Sequence, residues 1–336
     1  VQAVILAGGL GTRLRPLTYA RPKALLPLLN KPMILHLLER IPSMVDEVLL
    51  AANYKVDQLR DFLRAHDLGR PVTIVKEAEA LGTGGAIKNL EDRLTGTFLA
   101  FNGDIVSSLA VGDLVAAHRR FGGIGTIALW DVEDPSGFGV VAMKGDRITK
   151  FVEKPPPGTA PSRLVNAGAY VLELEVLAAM KRGTASLERD IFPKVLRKGL
   201  FGFRFSGYWS DVGTRENFLA ATATLLREQG SDVSIRASIG TTATLVKPVA
   251  VAADTVVRGK IGPSVVVGRD CEIGESRVRD SVLFDRVVVG DRAQVTGSLV
   301  GDGCRIGSRA KVTDSILEDG AVVRADEDIV ARKVRR

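Results

Sequence analysis

From Val249 onward, apolar or β-branched residues return every six positions: Val249, Thr255, Ile261, Val267 and Ile273. The beat resumes at Leu283, Val289 and Val295, slips by one, and continues at Val300, Ile306 and Val312. Small or short residues recur four places on, at Ala253, Val265, Cys271, Ala293, Cys304 and Ala310. A period of six suits neither an amphipathic helix nor one long alternating strand. It suits one short strand and one turn per repeat, stacked as a solenoid. Composition agrees, since from residue 229 there are 21 valines against 4 leucines, and every aromatic residue except Phe284 lies earlier. β-Branched residues favour extended, pleated packing.

The pattern resembles the hexapeptide repeats of left-handed parallel β-helices, in which three hexads make a coil. About eleven hexads predict roughly four coils. The expected organisation is a first domain over 1–228, a linker over 229–245 and the β-helix over 246–330, the last serving oligomerisation or regulation. A length of 336 residues suits two domains.

The first domain alternates in type. Ala3–Leu6, Glu47–Ala51, Val72–Val75 and Phe98–Phe101 read as short buried strands. Pro32–Ile41, Val56–Ala65 and Gly84–Leu94 read as helices between them. Such alternation predicts an α/β, Rossmann-like domain with a mixed, mostly parallel sheet. Ligands of these sheets sit beyond the carboxyl ends of the strands. Both Gly8-Gly9 and Asn102-Gly103-Asp104 fall there.

Several classes are excluded. No run approaches the ~18 apolar residues of a membrane span. Val1–Leu6 has no basic flank and leads directly into Gly8-Gly9, unlike a signal peptide. Cys271 and Cys304 are too few for a disulfide framework, and no Cys/His cluster has zinc spacing, so a reducing cytoplasm is the expected compartment. The net charge of +7 is not gathered into blocks, which argues against a nucleic-acid partner.

Leu6-Ala7-Gly8-Gly9-Leu10-Gly11-Thr12-Arg13-Leu14 carries the first chemistry. Glycines after a strand let the backbone approach a phosphate and aim N–H groups at it. Arg13 adds a guanidinium fork and Lys23 a point charge. No Gly-Lys-Ser/Thr follows, so this is not a P-loop. Leu14 stands where a dinucleotide fingerprint needs its third glycine.

Gly-Gly-Leu-Gly-Thr-Arg-Leu-Arg-Pro-Leu-Thr (8–18), Arg-Pro-Lys-Ala-Leu-Leu-Pro (21–27) and Lys-Pro-Met-Ile (31–34) resemble the sugar-1-phosphate nucleotidylyltransferases. The likeness continues through Leu81–Gly85, Asn102-Gly103-Asp104, Phe151–Pro155, Asn166-Ala167-Gly168 and Trp209–Gly213. Within the family, Asp134–Val140, Ser186–Pro193 and Gly207–Gly213 are most similar to the GDP-mannose pyrophosphorylase branch, which joins GTP and mannose 1-phosphate. Thymidylyl- and uridylyltransferases acting on glucose 1-phosphate share most of these motifs and remain the alternative.

The resemblance implies that an NTP and a sugar 1-phosphate give an NDP-sugar and pyrophosphate, with Mg²⁺ as cofactor. It implies that Leu6, Ala7, Gly8, Gly9, Gly11, Thr12 and Arg13 hold the nucleotide, with Lys23 near the α-phosphate. Asp104 and Asp211 are the implied Mg²⁺ ligands. Gly82 and Thr83 would bound the base site, with Asn53, Glu77 and Glu79 as further candidates there. Gly139, Glu153, Lys154 and Asn166 would receive the sugar phosphate. The expected state is a homo-oligomer formed through the β-helix.

Two rival classes leave weaker traces. Acyl transfer by the coil typically uses a histidine base, yet His36, His66 and His118 all precede it. A non-catalytic sensor of nucleotide sugars would show a broken glycine segment or a missing acid, whereas Gly11, Arg13, Lys23, Asp104 and Asp211 are all present.

Overall fold

A computed structural model describes all of residues 1–336. The chain forms two compact units: residues 1–9 with 34–209, and residues 10–33 with 210–336.

The first unit is built on nine strands: β1 (Gln2–Leu6), β2 (Glu47–Ala52), β3 (Val72–Lys76), β4 (Phe98–Asn102), β5 (Gly125–Asp131), β6 (Gly139–Lys144), β7 (Arg147–Glu153), β8 (Leu164–Leu172) and β9 (Leu200–Arg204). Their order is β3-β2-β1-β4-β8-β5-β9-β7-β6. The first four are mutually parallel, with Leu6 opposite both Ala51 and Asn102. β8 runs antiparallel to β4 and β5, while β9 is parallel to β5. The strands β1, β2 and β4 are apolar and buried, as a sheet covered on both faces requires. Val4, Leu49, Phe98, Tyr170 and Phe192 belong to one contiguous core.

Helices α1 (Met33–Leu38), α2 (Val56–Arg64), α3 (Gly82–Lys88) and α4 (Val111–Phe121) intervene. The helix expected over Gly84–Leu94 starts two residues earlier and stops at Lys88, and Glu91–Arg93 forms a separate 3₁₀ turn.

In the second unit, α5 (Arg215–Gln229) begins at Thr214, whose hydroxyl accepts the Asn217 N–H at 3.2 Å. Three parallel sheets of seven, six and six short strands then stack into a three-sided β-helix, consistent with the left-handed form. Residues expected to form the 229–245 linker are part of it: Asp232–Val233, Ser238–Ile239 and Thr244–Leu245 pair with the next coil. Their side chains are mostly exposed, so they lack the buried apolar beat. The sheets therefore define about six coils rather than four. Paired residues are 16 to 18 apart and most often 17, one short of three hexads, which explains the slip in the repeat.

Inside the coil, Val249, Val265, Leu283, Val300 and Leu317 share one core. Buried serines form a ladder: Ser281 Oγ accepts the Ser298 N–H, Ser298 Oγ that of Ser315, and Ser315 Oγ that of Arg332, each at 3.1 Å. Each hydroxyl also donates to a carbonyl two residues back, so the buried polar groups are satisfied.

Candidate functional site

In the first unit, the carboxyl ends of the parallel strands converge. Ala7 N–H donates to Ala51 O at 2.8 Å, and Gly103 N–H to Leu6 O at 2.9 Å. A Cβ on Gly103 would lie 2.9 Å from that same oxygen, so glycine is what allows the close approach. Asp104 follows, in a two-residue turn after β4.

Asn53 and Glu77 leave the ends of β2 and β3 and flank Gly8. A Cβ on Gly8 would stand 2.8 Å from Glu77 Oε2 and 3.8 Å from Asn53 Oδ1. Glu77 is only 4% exposed, whereas Glu79, the other carboxylate considered for the base, faces solvent. Burial pushes the Glu77 carboxyl above the usual range, with the Leu81 N–H working against it.

The motif Leu81–Gly85 packs on residues 183–188. Gly82 adopts φ +70°, and a Cβ there would lie 2.6 Å from Ala185 O. Thr83 Oγ1 donates to Glu188 Oε2 at 2.7 Å and accepts the Leu187 N–H at 2.8 Å.

Gly139 and Glu153 face each other across β6 and β7, and a Cβ on Gly139 would lie 2.8 Å from Glu153 Oε2. The Glu153 carboxyl is pushed up by burial and by the charge of Glu188, against Lys154 and Arg189. Lys154 is two-thirds exposed, with its Nζ 3.9 Å from Glu153 Oε1. Asn166 Nδ2 donates to the Tyr170 hydroxyl at 2.8 Å, which donates to Glu188 Oε1 at 3.1 Å. Burial, then the charge of Glu188, pushes the Tyr170 phenol well above its ordinary value. Asn166 and Thr83 are thus joined through Tyr170 and Glu188, two residues to which the sequence assigned no role. Glu188 lies inside the quoted Ser186–Pro193 segment, the one signal that pointed toward it.

Four buried side-chain oxygens in this region have no hydrogen-bond partner: Asn53 Oδ1, Glu77 Oε1, Asn102 Oδ1 and Glu153 Oε2. Orphaned buried acceptors are rare in native proteins and mark a place for a ligand that supplies donors.

In the second unit, Gly11 adopts φ +61° and its carbonyl accepts from Thr18 Oγ1 at 2.9 Å. A Cβ on Gly11 would meet Thr18 at 2.8 Å and Lys23 at 3.2 Å. Thr12–Leu14 is a 3₁₀ turn that carries the exposed Arg13, whereas Lys23 is 9% exposed. A Cβ on Gly213 would lie against the Arg13 guanidinium and 2.8 Å from Asp211 Oδ1, which brings Arg13 and Asp211 together.

No cluster of three His, Cys, Asp or Glu side chains could cage a metal alone. Magnesium characteristically takes one or two carboxylates and completes its shell with phosphate oxygens and water. A half-buried Asp104 at the strand ends suits that kind of donor set. No helix is long and apolar enough to cross a membrane.

The pattern that defines the nucleotidyl transferase family matches residues 2–228, and that of the GMPPB C-terminal domain matches 232–334. A mannose-1-phosphate guanylyltransferase of Mycobacterium tuberculosis is 37% identical over 299 residues, 86% of this chain and 81% of that protein. The mannose-1-phosphate guanylyltransferase catalytic subunit beta of Danio rerio is 33% identical over 282 residues, 81% of this chain and 74% of its own length. Among solved structures, HddC from Yersinia pseudotuberculosis complexed with GMP-PN superposes with a TM-score of 0.58 at 28% identity, over 67% of this chain and 99% of that one. With these matches spanning both the sheet unit's motifs and the coil, the chain belongs to the nucleotidyl transferase family, in the group of the mannose-1-phosphate guanylyltransferases.

Proposed function

We propose that the protein transfers a guanylyl group from GTP to mannose 1-phosphate. A phosphate oxygen of the sugar phosphate attacks the α-phosphorus, the bond from that phosphorus to the β-phosphate bridging oxygen breaks, and pyrophosphate leaves with GDP-mannose as the other product. Two anions must meet, so charge neutralisation and alignment contribute more than proton transfer.

The observation that carries the base assignment is Glu77, buried beside Gly8 with one oxygen unpartnered. The pairing edge of guanine presents two adjacent donors, N1–H and the 2-amino group, and a carboxylate accepts both. Uracil and thymine present one donor between two acceptors, which would set oxygen against oxygen. A site built for hydrogen bonds rejects a mismatched partner strongly, because buried groups are left unpaired.

The other roles follow the family resemblance. Backbone N–H groups from Gly8 to Thr12, with Arg13, hold the triphosphate, Leu6 and Ala7 line the nucleotide, and Lys23 neutralises charge at the α-phosphate. Gly82 and Thr83 bound the base. Glu153 accepts from sugar hydroxyls, Lys154 meets the sugar phosphate, and Gly139 and Asn166 complete that pocket. Asp104 and Asp211 are the carboxylates suited to Mg²⁺, which supplies Lewis-acid polarisation of the phosphates when bound. The coil is assigned to self-association. Ile235, Val322 and Val330 are apolar side chains exposed on it. Light scattering that finds a single chain's mass would remove that assignment.

The deciding experiment crosses four NTPs with mannose 1-phosphate, glucose 1-phosphate and N-acetylglucosamine 1-phosphate, scored by pyrophosphate release. GTP with mannose 1-phosphate is expected to be fastest. Preference for dTTP or UTP with glucose 1-phosphate would move the assignment to that branch.

A further inference from the structure

Residues 10–33, which include Arg13 and Lys23, belong to the same compact unit as the coil. One corner of the coil explains how they are held. Asp285, Asp302 and Asp319 recur at intervals of 17 residues. The Oδ1 of each accepts a backbone N–H from the coil before it: Asp285 from Arg269 at 2.8 Å, Asp302 from Asp285 at 3.0 Å, Asp319 from Asp302 at 2.9 Å. That leaves the second oxygen of Asp302 and of Asp319 for Arg21, whose Nη2 donates to both, at 2.8 Å to Asp302. All three side chains are about one-fifth exposed, and the Arg21 guanidinium lies 5.6 Å from the centre of the Phe284 ring. Phe284 is the coil's one aromatic residue. A desolvated guanidinium shared by two carboxylates and resting on an aromatic face is a firm anchor.

Arg21 is separated from Lys23 only by Pro22, whose ring fixes φ at −66°. The anchor therefore acts on Lys23 through a short, stiff link. Three more ties reach the same stretch. Lys333 Nζ donates to the Arg13 carbonyl at 2.9 Å, Asn30 Nδ2 donates to Val267 O at 3.1 Å, and Arg335 Nη2 donates to the Tyr19 hydroxyl at 2.6 Å.

We infer that Arg21, Asp302, Asp319 and Lys333 are positioning residues, through which the coil sets the placement of Lys23 and of the Arg13 turn. The coil is then part of the nucleotide-handling apparatus, although these side chains touch no substrate. The inference rests on the roles proposed above for Arg13 and Lys23. Misplacing a charged group by about 1 Å can cost ~10²-fold in rate.

The test uses the full chain carrying Asp302→Asn and Asp319→Asn together. Asparagine keeps an oxygen for each coil rung but turns the oxygen facing Arg21 into a donor. The expected result is a fall of roughly tenfold or more in kcat/KM for the NTP. The KM for the sugar 1-phosphate should stay within about twofold of the parent, since Glu153 and Asn166 belong to the other unit. Asp285→Asn, at the same corner but without Arg21, should keep parental kinetics. Lys333→Met, at an exposed position, should lower the same kcat/KM several-fold and decides the matter if the double variant does not fold. Lys23→Ala is measured alongside. If Lys23→Ala is inactive while the double variant and Lys333→Met match the parent within twofold, the inference fails and the roles of Lys23 and Arg13 stand. If Lys23→Ala is fully active, those roles fail and the inference falls with them. An equal rise in the KM for both substrates would also overturn it, because that is the signature of general damage.

Discussion

Glu77→Gln isolates base choice with almost no change of shape. The parent carboxylate offers two acceptors, and the carboxamide offers one acceptor and one donor. With GTP the substitution removes one charge-assisted hydrogen bond, worth about 1.5–3 kcal/mol, and sets a buried amide N–H against a guanine donor, costing about 1–3 kcal/mol more. The side chain is 4% exposed, so bulk water cannot rescue the mismatch. The total of about 2.5 kcal/mol at the low end corresponds to roughly 60-fold in kcat/KM, since 1.4 kcal/mol is tenfold.

The same change favours UTP and dTTP, because a carboxamide pairs with both the N3–H and a flanking carbonyl of those bases. The assay is initial-rate pyrophosphate release with GTP, UTP and dTTP at fixed mannose 1-phosphate. Parental GTP kinetics within threefold, together with an unchanged ranking of bases, would refute the role of Glu77. Stability gives an independent check. Burial raises the folded-state pKa of Glu77, so any stability linked to its proton is present below the unfolded pKa and lost as pH rises through the raised value. E77Q should therefore melt higher than the parent at neutral pH. The gap should close on acidification into the ordinary carboxylate range.

Glu153 is likewise raised, first by burial and then by Glu188. Affinity for the sugar phosphate should therefore weaken on acidification at a higher pH than an ordinary glutamate would give, and E153Q should bind more weakly with a flatter pH profile; a parental profile in E153Q excludes Glu153 as the titrating group. Cys271 and Cys304 are buried, and burial pushes both thiols up to about 12. Ellman's reagent at pH 8 should label neither until the coil unfolds, and rapid labelling of the native protein would contradict the packing. Ser298→Ala leaves the buried Ser315 N–H without its acceptor and should cost about 1–3 kcal/mol in denaturant unfolding of the coil, against a null result if water replaces the hydroxyl.

How far the sequence reaches differs from element to element. The six-residue beat reveals a solenoid because each strand must point one residue inward every turn of the coil, and that demand falls on consecutive residues. The number of coils escapes the beat for two physical reasons. Most coils close in 17 residues, so the phase drifts, and the first coil at 232–245 has little apolar surface to bury. In the sheet unit, Gly8 and Gly103 are legible because the chain can approach a strand end or a phosphate only without a Cβ. Choosing Glu77 over Glu79 is not legible. The Glu77 N–H bonds to Ala52 O, which holds that carboxylate against Gly8, whereas Glu79 lies past the end of the strand. The Thr83–Glu188–Tyr170–Asn166 chain is likewise silent in sequence, since its members come from segments whose spacing carries no period.

Composition places a boundary near residue 228, where aromatics stop and valine takes over, but compactness follows contacts instead. Arg21, Asn30, Tyr19 and the Arg13 carbonyl all find partners in Val267, Asp302, Asp319, Lys333 and Arg335. A cut at 228 would leave Arg21 without either carboxylate and strip the support from the stretch that carries Lys23. Removing one partner of a paired, partly desolvated charge costs more than the pair itself contributes, because the remaining charge is left uncompensated. The coil and the stretch over residues 10–33 thus constrain each other. The same aspartates that register one coil on the next also supply the oxygens that hold Arg21, so a substitution that changes coil register at that corner should also shift nucleotide kinetics.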